Sequence, residues 1–210
     1  MQEKYNMERL ARLTLKVVCD YPIECLICAD KPDLQDAIHS YGIEVVEDCY
    51  HNERKAERFI SGVWQKQVSK IKPEQIKRLE KLGGSITEEN GVVASASLGT
   101  TQNGPAHLID TIKKKVEKLN SGGYDEFAQY GLYVFVDTVF LFDSYVHSVT
   151  ETIAEYQADR TRVYETIYLD GSYEMCVCDM RQKSFVRKQI SREDKEKIRE
   201  KLRTQHEKRG

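Results

Sequence analysis

Long apolar runs are absent from this sequence. Nowhere do about 18 apolar residues follow one another, which is the length that a membrane-spanning helix needs. The first residues, MQEKYNMERLARL, also lack the basic and then apolar order of a secretory signal peptide. We therefore expect a cytoplasmic protein that does not enter a membrane. Its 210 residues, 40% of them hydrophobic, are enough for one globular domain that buries roughly 70% of its unfolded surface.

A strong net charge is absent as well. The formal charge is −2 at pH 7, which argues against a basic surface around the whole molecule. Positive charge is instead concentrated: residues 181–210 contain twelve Lys or Arg against five Asp or Glu, and residues 52–81 contain nine against four. Two basic stretches in a slightly acidic chain favour a surface that faces a polyanion such as DNA. Taken singly, each stretch is equally typical of a solvated helical face.

Cysteine is infrequent, with six residues in the chain, and in a reducing cytosol we do not expect disulfides. Two pairs stand close in sequence, Cys25 with Cys28 and Cys176 with Cys178, and four thiolates at such spacings can bind zinc. A zinc-stapled interaction module is therefore one interpretation of the chain. Both pairs, however, lie in apolar, strand-like runs, where cysteine usually serves as a small buried hydrophobe.

Internal repeats and low-complexity tracts are also absent. The hydrophobic pattern predicts a helix, three strands, a long excursion, a helix, a strand, a helix, a hairpin and a polar helix over residues 190–210. This order is typical of a mixed α/β sheet flanked by helices. We expect residues 1–210 to form a single domain. Residues 50–104 are predicted as an insertion, because they are rich in Gly and Ser and contain their own hairpin signal, Asn90-Gly91.

Two carboxylates, Asp33 and Glu44, fall in the strand-like segment KPDLQDAIHSYGIEVVED. A two-residue turn at His39 and Ser40 would pair Asp33 with Val46 and leave Glu44 on the same face of the sheet, offset by about 7 Å. A turn with an odd number of residues would put the two carboxylates on opposite faces. If they share a face, their oxygen atoms suit Mg²⁺ or Mn²⁺. The alternative is that Asp33 caps a turn and Glu44 is an edge charge.

This segment resembles the active-site motif of the PD-(D/E)XK nuclease superfamily, which has the restriction-endonuclease-like fold. Pro32-Asp33 matches the first element of the motif and Glu44 the second, while Val46 stands where the superfamily has lysine. The resemblance implies a restriction-endonuclease-like core with a helical and hairpin insertion. It also implies metal-dependent hydrolysis of phosphodiester bonds in DNA, with Asp33 and Glu44 as catalytic residues and as ligands of Mg²⁺ or Mn²⁺.

The missing lysine has two explanations under this resemblance. Either the site is inactive, or the cation comes from the helix before the strand GLYVFVD, as it does in some members of the superfamily. Lys115 is the first candidate, because it adjoins the apolar face of that predicted helix next to Ile112 and Val116. An ammonium group there would stabilise the charge that develops on the phosphate. Further candidates are Lys118, Lys31 and Lys55.

The resemblance also implies an additional acid from the first helix. Glu8 is the candidate beside its apolar face, and Glu3 is the alternative. His51 is a candidate ligand or base in the segment that follows Glu44. Two functions stay open: a nuclease that acts on DNA, and an inactive protein of the same fold that binds nucleic acid or a protein partner. A homodimer is a further open expectation.

Overall fold

The chain divides into two compact units, one of residues 1–48 with 104–210 and one of residues 49–103. Among the residues described below, no helix combines the length and the apolar character that crossing a bilayer requires. The computed structural model describes residues 2–19, 25–48, 62–63, 65–81, 84–98, 105–136 and 140–207.

Helices and strands alternate along the described part of the chain. The helices are α1 (Gln2–Val18), α2 (Pro73–Lys81), α3 (Ala106–Asn120), α4 (Asp143–Tyr156) and α5 (Arg192–Glu207). The strands are β1 (Ile27–Cys28), β2 (Leu34–Asp36), β3 (Tyr41–Asp48), β4 (Gly84–Glu89), β5 (Val92–Leu98), β6 (Gln129–Val136), β7 (Tyr164–Asp170), β8 (Glu174–Asp179) and β9 (Ser184–Gln189).

Seven strands of the larger unit form one mixed sheet in the order β1-β2-β3-β6-β7-β8-β9. β6 lies between β3 and β7 and runs parallel to both, whereas the remaining neighbours in the sheet are antiparallel. Parallel neighbours need a crossover connection, and α3 and α4 lie in the two crossovers that lead into and out of β6. The prediction of a mixed α/β sheet flanked by helices is confirmed.

The sheet buries apolar side chains on both faces. On the first face, Leu108, Ile112 and Val116 of α3 pack with α4 and with alternate residues of β6 and β7. On the second face, Ala11 and Leu15 of α1 pack with the residues in between. Because successive side chains of a strand point to opposite faces, the central strand β6 is apolar at almost every position, as expected for a strand covered on both sides. We call these faces the α3 face and the α1 face.

The smaller unit has its own apolar core, formed by Val63, Ile71 and Val93. β4 and β5 form an antiparallel hairpin, and its turn residues Asn90 and Gly91 both have positive φ, the conformation that favours Asn-Gly at this position. The limits of the unit differ by one residue from those of the predicted insertion, 50–104. Trp64 lies outside the described residues.

Two strands differ from the sequence-based expectation. Of the described residues of the run IECLICA, which is predicted as a buried strand, just the two of β1 are in a strand, and Ile27 is 57% exposed. β9 was not predicted, because its sequence SFVRKQ is polar and only pairing with β8 makes it a strand. Part of the basic stretch 181–210 is therefore an edge strand, and the predicted polar helix follows it as α5.

Candidate functional site

The connection between β2 and β3 determines where Asp33 and Glu44 lie. The turn contains four residues, 37–40, and not the predicted two, so that Leu34 pairs with Ile43 and Asp36 with Tyr41. Asp36 lengthens the turn, because its Oδ1 accepts hydrogen bonds from the backbone of the two residues beyond Ala37. Four is still an even number, so the register extended by one residue sets Asp33 opposite Glu44 on the same face.

Asp33 is buried at the start of β2, with 2% of its surface exposed. Its Oδ2 accepts a hydrogen bond of 2.9 Å from the backbone N–H of Val45. The preceding Pro32 packs closely against β3: a Cβ on Gly42 would lie 2.5 Å from Pro32 Cγ. This close approach explains the glycine and fixes the corner from which the Asp33 carboxylate reaches β3.

Glu44 is buried beneath two lysine side chains of α3. Lys115 Nζ lies 2.7 Å and Lys118 Nζ 3.1 Å from the same carboxylate oxygen, Oε1. Burial on its own would raise the pKa of Glu44, but the attraction and hydrogen bond of Lys115, then the nearby Tyr124 hydroxyl and the attraction of Lys118, hold that pKa below its usual 4.5. Glu44 is therefore ionised at neutral pH despite being only 3% exposed.

The lysines on Glu44 belong to a stripe of polar side chains along one side of α3. Glu44 and Asp48 lie four residues apart on one face of β3, and the stripe on α3 faces both of them. His107 Nδ1 lies 2.6 Å from Asp48 Oδ1, and Thr111 Oγ1 donates a 3.1 Å hydrogen bond to the same atom. Val46, between the two carboxylates, packs against the core of the α3 face. The stripe consists of His107, Thr111, Lys115 and Lys118, at helical spacing.

Tyr124 enters the site from the loop between α3 and β6. The Asp125 N–H donates a 2.9 Å hydrogen bond to the carbonyl of Lys31, which holds this loop beside the Asp33 corner. Burial, the neighbouring Tyr164 and the charge of Glu44 all raise the pKa of Tyr124, so its hydroxyl stays protonated. The hydroxyl is close enough to lower the pKa of Glu44, yet it makes no hydrogen bond of normal geometry within the described part of the chain.

Two buried carboxylates on one face are a donor set that Mg²⁺ accepts, because this ion commonly takes one or two protein carboxylates and completes its shell with water and substrate phosphate. Asp33 and Glu44 fit that requirement. In the described ranges, no group of three or more His, Cys, Asp or Glu is arranged to hold a metal ion. Any ion bound here would thus depend on these two side chains and on solvent or substrate oxygens.

The other candidate residues are not gathered at this site. Glu8 is buried on α1, which covers the opposite face of the sheet from Glu44. Lys31 is exposed at the corner that precedes Asp33. The side chain of Glu3, and His51 and Lys55 altogether, lie outside the described residues.

The zinc interpretation is wrong for the cysteines that the structure describes. Cys176 and Cys178 are buried in the core of the α3 face, whereas Cys28 packs against the core of the α1 face. Burial raises the pKa of Cys176 to about 11 and that of Cys178 to about 12, so both remain thiols at neutral pH. The strand positions of these residues explain their sequence spacing.

The fold and the site define an α/β protein in which two lysines and a buried tyrosine cluster around two buried carboxylates. No protein-family model, no curated protein and no solved structure matches the chain.

Proposed function

We propose that this protein is a metal-dependent nuclease that hydrolyses phosphodiester bonds in DNA. The observation that carries the proposal is the contact between Lys115 Nζ and Glu44 Oε1 at 2.7 Å. It brings an ammonium group to the carboxylate from the helix that precedes β6, where the resemblance to the PD-(D/E)XK superfamily implies an alternative source of the lysine absent at Val46.

The order of elements supports the same proposal. The resemblance covers a helix followed by three strands, and then a later helix followed by a strand. α1, β1, β2, β3, α3 and β6 follow that order, with the smaller unit between β3 and α3. Asp33 then stands at the head of the second strand and Glu44 within the third.

Each residue has a distinct role in this proposal. Asp33 and Glu44 would hold Mg²⁺ or Mn²⁺, and the chemistry that such an ion supplies when bound is polarisation of a phosphoryl oxygen and a lower pKa of coordinated water. Lys115 stabilises the negative charge that grows on the phosphate as water attacks phosphorus. The P–O bond then breaks, leaving a phosphomonoester and a hydroxyl group.

A second function is a protein that binds nucleic acid without cleaving it. The observation that favours it is the ion pairing of Glu44 with two ammonium groups, which offset its negative charge without a metal ion. In that case Asp33 has a structural role, because its Oδ2 accepts the N–H of Val45. Homodimer formation stays a prediction for either function.

The test combines calorimetric titration with Mn²⁺ and cleavage of plasmid and single-stranded DNA in Mg²⁺ and Mn²⁺. Asp33→Ala should lose metal binding and cleavage together, whereas the matched variant Asp30→Ala, which changes an exposed acid three residues away, should keep both. Metal binding that is unaffected by Asp33→Ala, or a wild type that never cleaves DNA, would contradict the nuclease and favour the binding protein.

A further inference from the structure

Tyr124 presents a buried hydroxyl that lies near Glu44 but makes no hydrogen bond of normal geometry with any described residue. The residue is only 6% exposed, and in the described part of the chain its Oη is the buried side-chain polar atom for which no hydrogen bond is found. Buried hydroxyl groups in native proteins are nearly always paired, and an exception calls for a water, an ion or a ligand as the partner. Tyr124 therefore indicates that the site receives a hydrogen-bond acceptor from outside the chain.

The position of Tyr124 is fixed by backbone contacts on both sides of the site. Asp125 N–H is bonded to the Lys31 carbonyl, and Ala128 N–H donates a 2.9 Å hydrogen bond to Ser40 Oγ. The loop is thus held at both ends of the β2 region. Its tyrosine hydroxyl lies near Glu44, and it can act there as a donor because it stays protonated.

Lys118 is the outer of the two lysines on Glu44. Its side chain is 50% exposed, against 21% for Lys115, and its distance to Glu44 Oε1 is longer, 3.1 Å against 2.7 Å. Its ammonium group lies 5.0 Å from the centre of the Tyr124 ring. Because Lys115 alone can neutralise Glu44, Lys118 is able to contact an anion that arrives from solvent without leaving the carboxylate uncompensated.

We propose that Lys118 and Tyr124 together bind a non-bridging oxygen of the DNA phosphate. The ammonium and the hydroxyl both donate to that oxygen, as lysine and tyrosine side chains do in protein–DNA contacts, while Lys115 remains on Glu44. This inference rests on the proposed function and deepens it, because it assigns the residues that position the phosphate next to the two carboxylates.

Affinity for a labelled duplex of about 20 base pairs, measured by fluorescence anisotropy over a series of salt concentrations, tests the proposal. Ca²⁺ replaces Mg²⁺, and absence of cleavage is verified on a gel. Lys118→Met should weaken binding and reduce the slope of log K against log salt by about one unit, because one phosphate contact is lost. Tyr124→Phe should weaken binding roughly tenfold without changing the slope, because it removes an uncharged donor.

Two control variants separate these effects from general changes. Lys114→Met removes an exposed lysine of the same helix, and Tyr173→Phe removes the hydroxyl of a tyrosine that is 74% exposed. Both should bind DNA as the wild type does, apart from the small loss of surface charge in Lys114→Met. If Lys118→Met and Tyr124→Phe match these controls, the proposal is overturned.

Thermal unfolding of Tyr124→Phe provides a readout that does not involve DNA. If the hydroxyl makes no hydrogen bond until a ligand is bound, its removal leaves the melting temperature of the free protein unchanged or raised. A lowered melting temperature would mean that the hydroxyl already pairs within the protein, and it would overturn the proposal. The cleavage assay separates failure of this inference from failure of the proposed function. If the wild type cleaves DNA but Lys118→Met and Tyr124→Phe bind DNA like the controls, only this inference is contradicted. If the two variants bind DNA as expected but the wild type does not cleave it, only the nuclease function is contradicted.

Discussion

Glu44 owes its ionised state to the lysines of α3. Its pKa in the folded protein lies below the usual 4.5, so its charge stabilises the fold at neutral pH. This contribution is complete above the pKa of the unfolded chain and is lost as the pH falls through the lower pKa of the folded protein. A carboxylate that is 3% exposed thus makes stability depend on pH in the acidic range.

Glu44→Gln should therefore reduce the free energy of unfolding by about 2 kcal/mol at pH 7, because it leaves Lys115 with an uncharged partner. The value is placed below that of a fully buried pair, since Lys118 is half exposed. The difference from the wild type should shrink as the pH falls from the usual pKa of Glu44 to its lower pKa in the folded protein, below which the wild-type side chain is also neutral. Urea unfolding at pH 7 and at lower pH measures it, and a difference that is constant with pH would contradict the expectation.

Lys115→Met tests the role of the relocated lysine in catalysis. The methionine keeps the apolar contacts of the lysine stem, and Lys118 remains as a cation for Glu44, so fold and Mn²⁺ affinity should be retained. Turnover of DNA should fall by roughly 10²-fold, a typical effect of losing a charge-stabilising group. Single-turnover cleavage with Lys114→Met as the control measures this, and full activity would remove Lys115 from the mechanism.

At the scale of elements, the contact between β3 and α3 is polar at both ends of the interface. Asp48 is fully buried and accepts hydrogen bonds from Thr111 and His107 at the start of the helix. Glu44 performs the equivalent function one helical turn after Thr111, through Lys115. Apolar packing of the neighbouring helix face holds the two elements together, and these polar contacts fix the position of α3 along β3.

Asp48→Ala should lower the free energy of unfolding by about 2 kcal/mol, because the helix loses its acceptor and the half-buried donors His107 and Thr111 are left without it. Asp110→Ala, which removes an exposed acid of the same helix, should have little effect. Chemical unfolding of both variants measures the difference. Equal stability of the two variants would mean that the Asp48 contact does not hold the helix in place.

The residues that met the sequence-based expectation are those governed by periodicity. Leu108, Ile112 and Val116 are buried at the helical spacing that the sequence predicts, and the common face of Asp33 and Glu44 follows from an even turn, although its length was four residues and not two. Tyr124 could not be predicted, because a loop position depends on contacts with residues distant in sequence, such as Lys31.

The polar stripe of α3 is visible in the sequence, but its meaning depends on knowing that α3 packs against β3. The spacing of the polar stripe, residues 107, 111, 115 and 118, matches carboxylates four residues apart on a strand, but the sequence alone does not pair this helix with β3. Edge strands such as β9 are a different case. Their polar residues carry no alternating apolar pattern, and their strand conformation comes from the neighbour with which they pair.

At the scale of the whole molecule, the end of β3 and the start of α3, between which the smaller unit is inserted in sequence, lie close together in the larger unit. Asp48 ends β3 and His107 lies at the start of α3, and their side chains are in contact. The segment between them thus leaves the larger unit and returns to it at nearly the same place. Such an arrangement is typical of insertions that can be shortened without strain.

Replacement of residues 50–103 by a flexible linker of about six Gly and Ser residues should leave the larger unit folded. We expect cooperative urea unfolding and a free energy of unfolding within about 1 kcal/mol of the wild type, since closure of a loop depends only weakly on its length. Far-UV circular dichroism during urea titration measures this. A variant that does not unfold cooperatively would show that the smaller unit supplies packing to the larger one.

The same variant reports on the basic stretch 52–81. The affinity of the wild type for DNA should fall steeply with salt, by a slope near one unit for each phosphate contacted. If lysines and arginines of this stretch contact phosphate, the deletion lowers that slope. An unchanged slope would assign the contacts to residues 183–209, and binding that does not depend on salt would contradict a DNA partner.

The inserted unit also has a consequence for synthesis of the protein. Glu44 and Lys115 are 71 residues apart, so at about 5–20 residues per second the carboxylate leaves the ribosome several seconds before its first cation. During that interval β3 has neither α3 nor β6 to cover it. The smaller unit, which has its own apolar core, emerges in the meantime. The contact between Glu44 and Lys115 therefore cannot form until the nascent chain has passed Lys115, so the larger unit completes its fold only after the whole smaller unit has been synthesised.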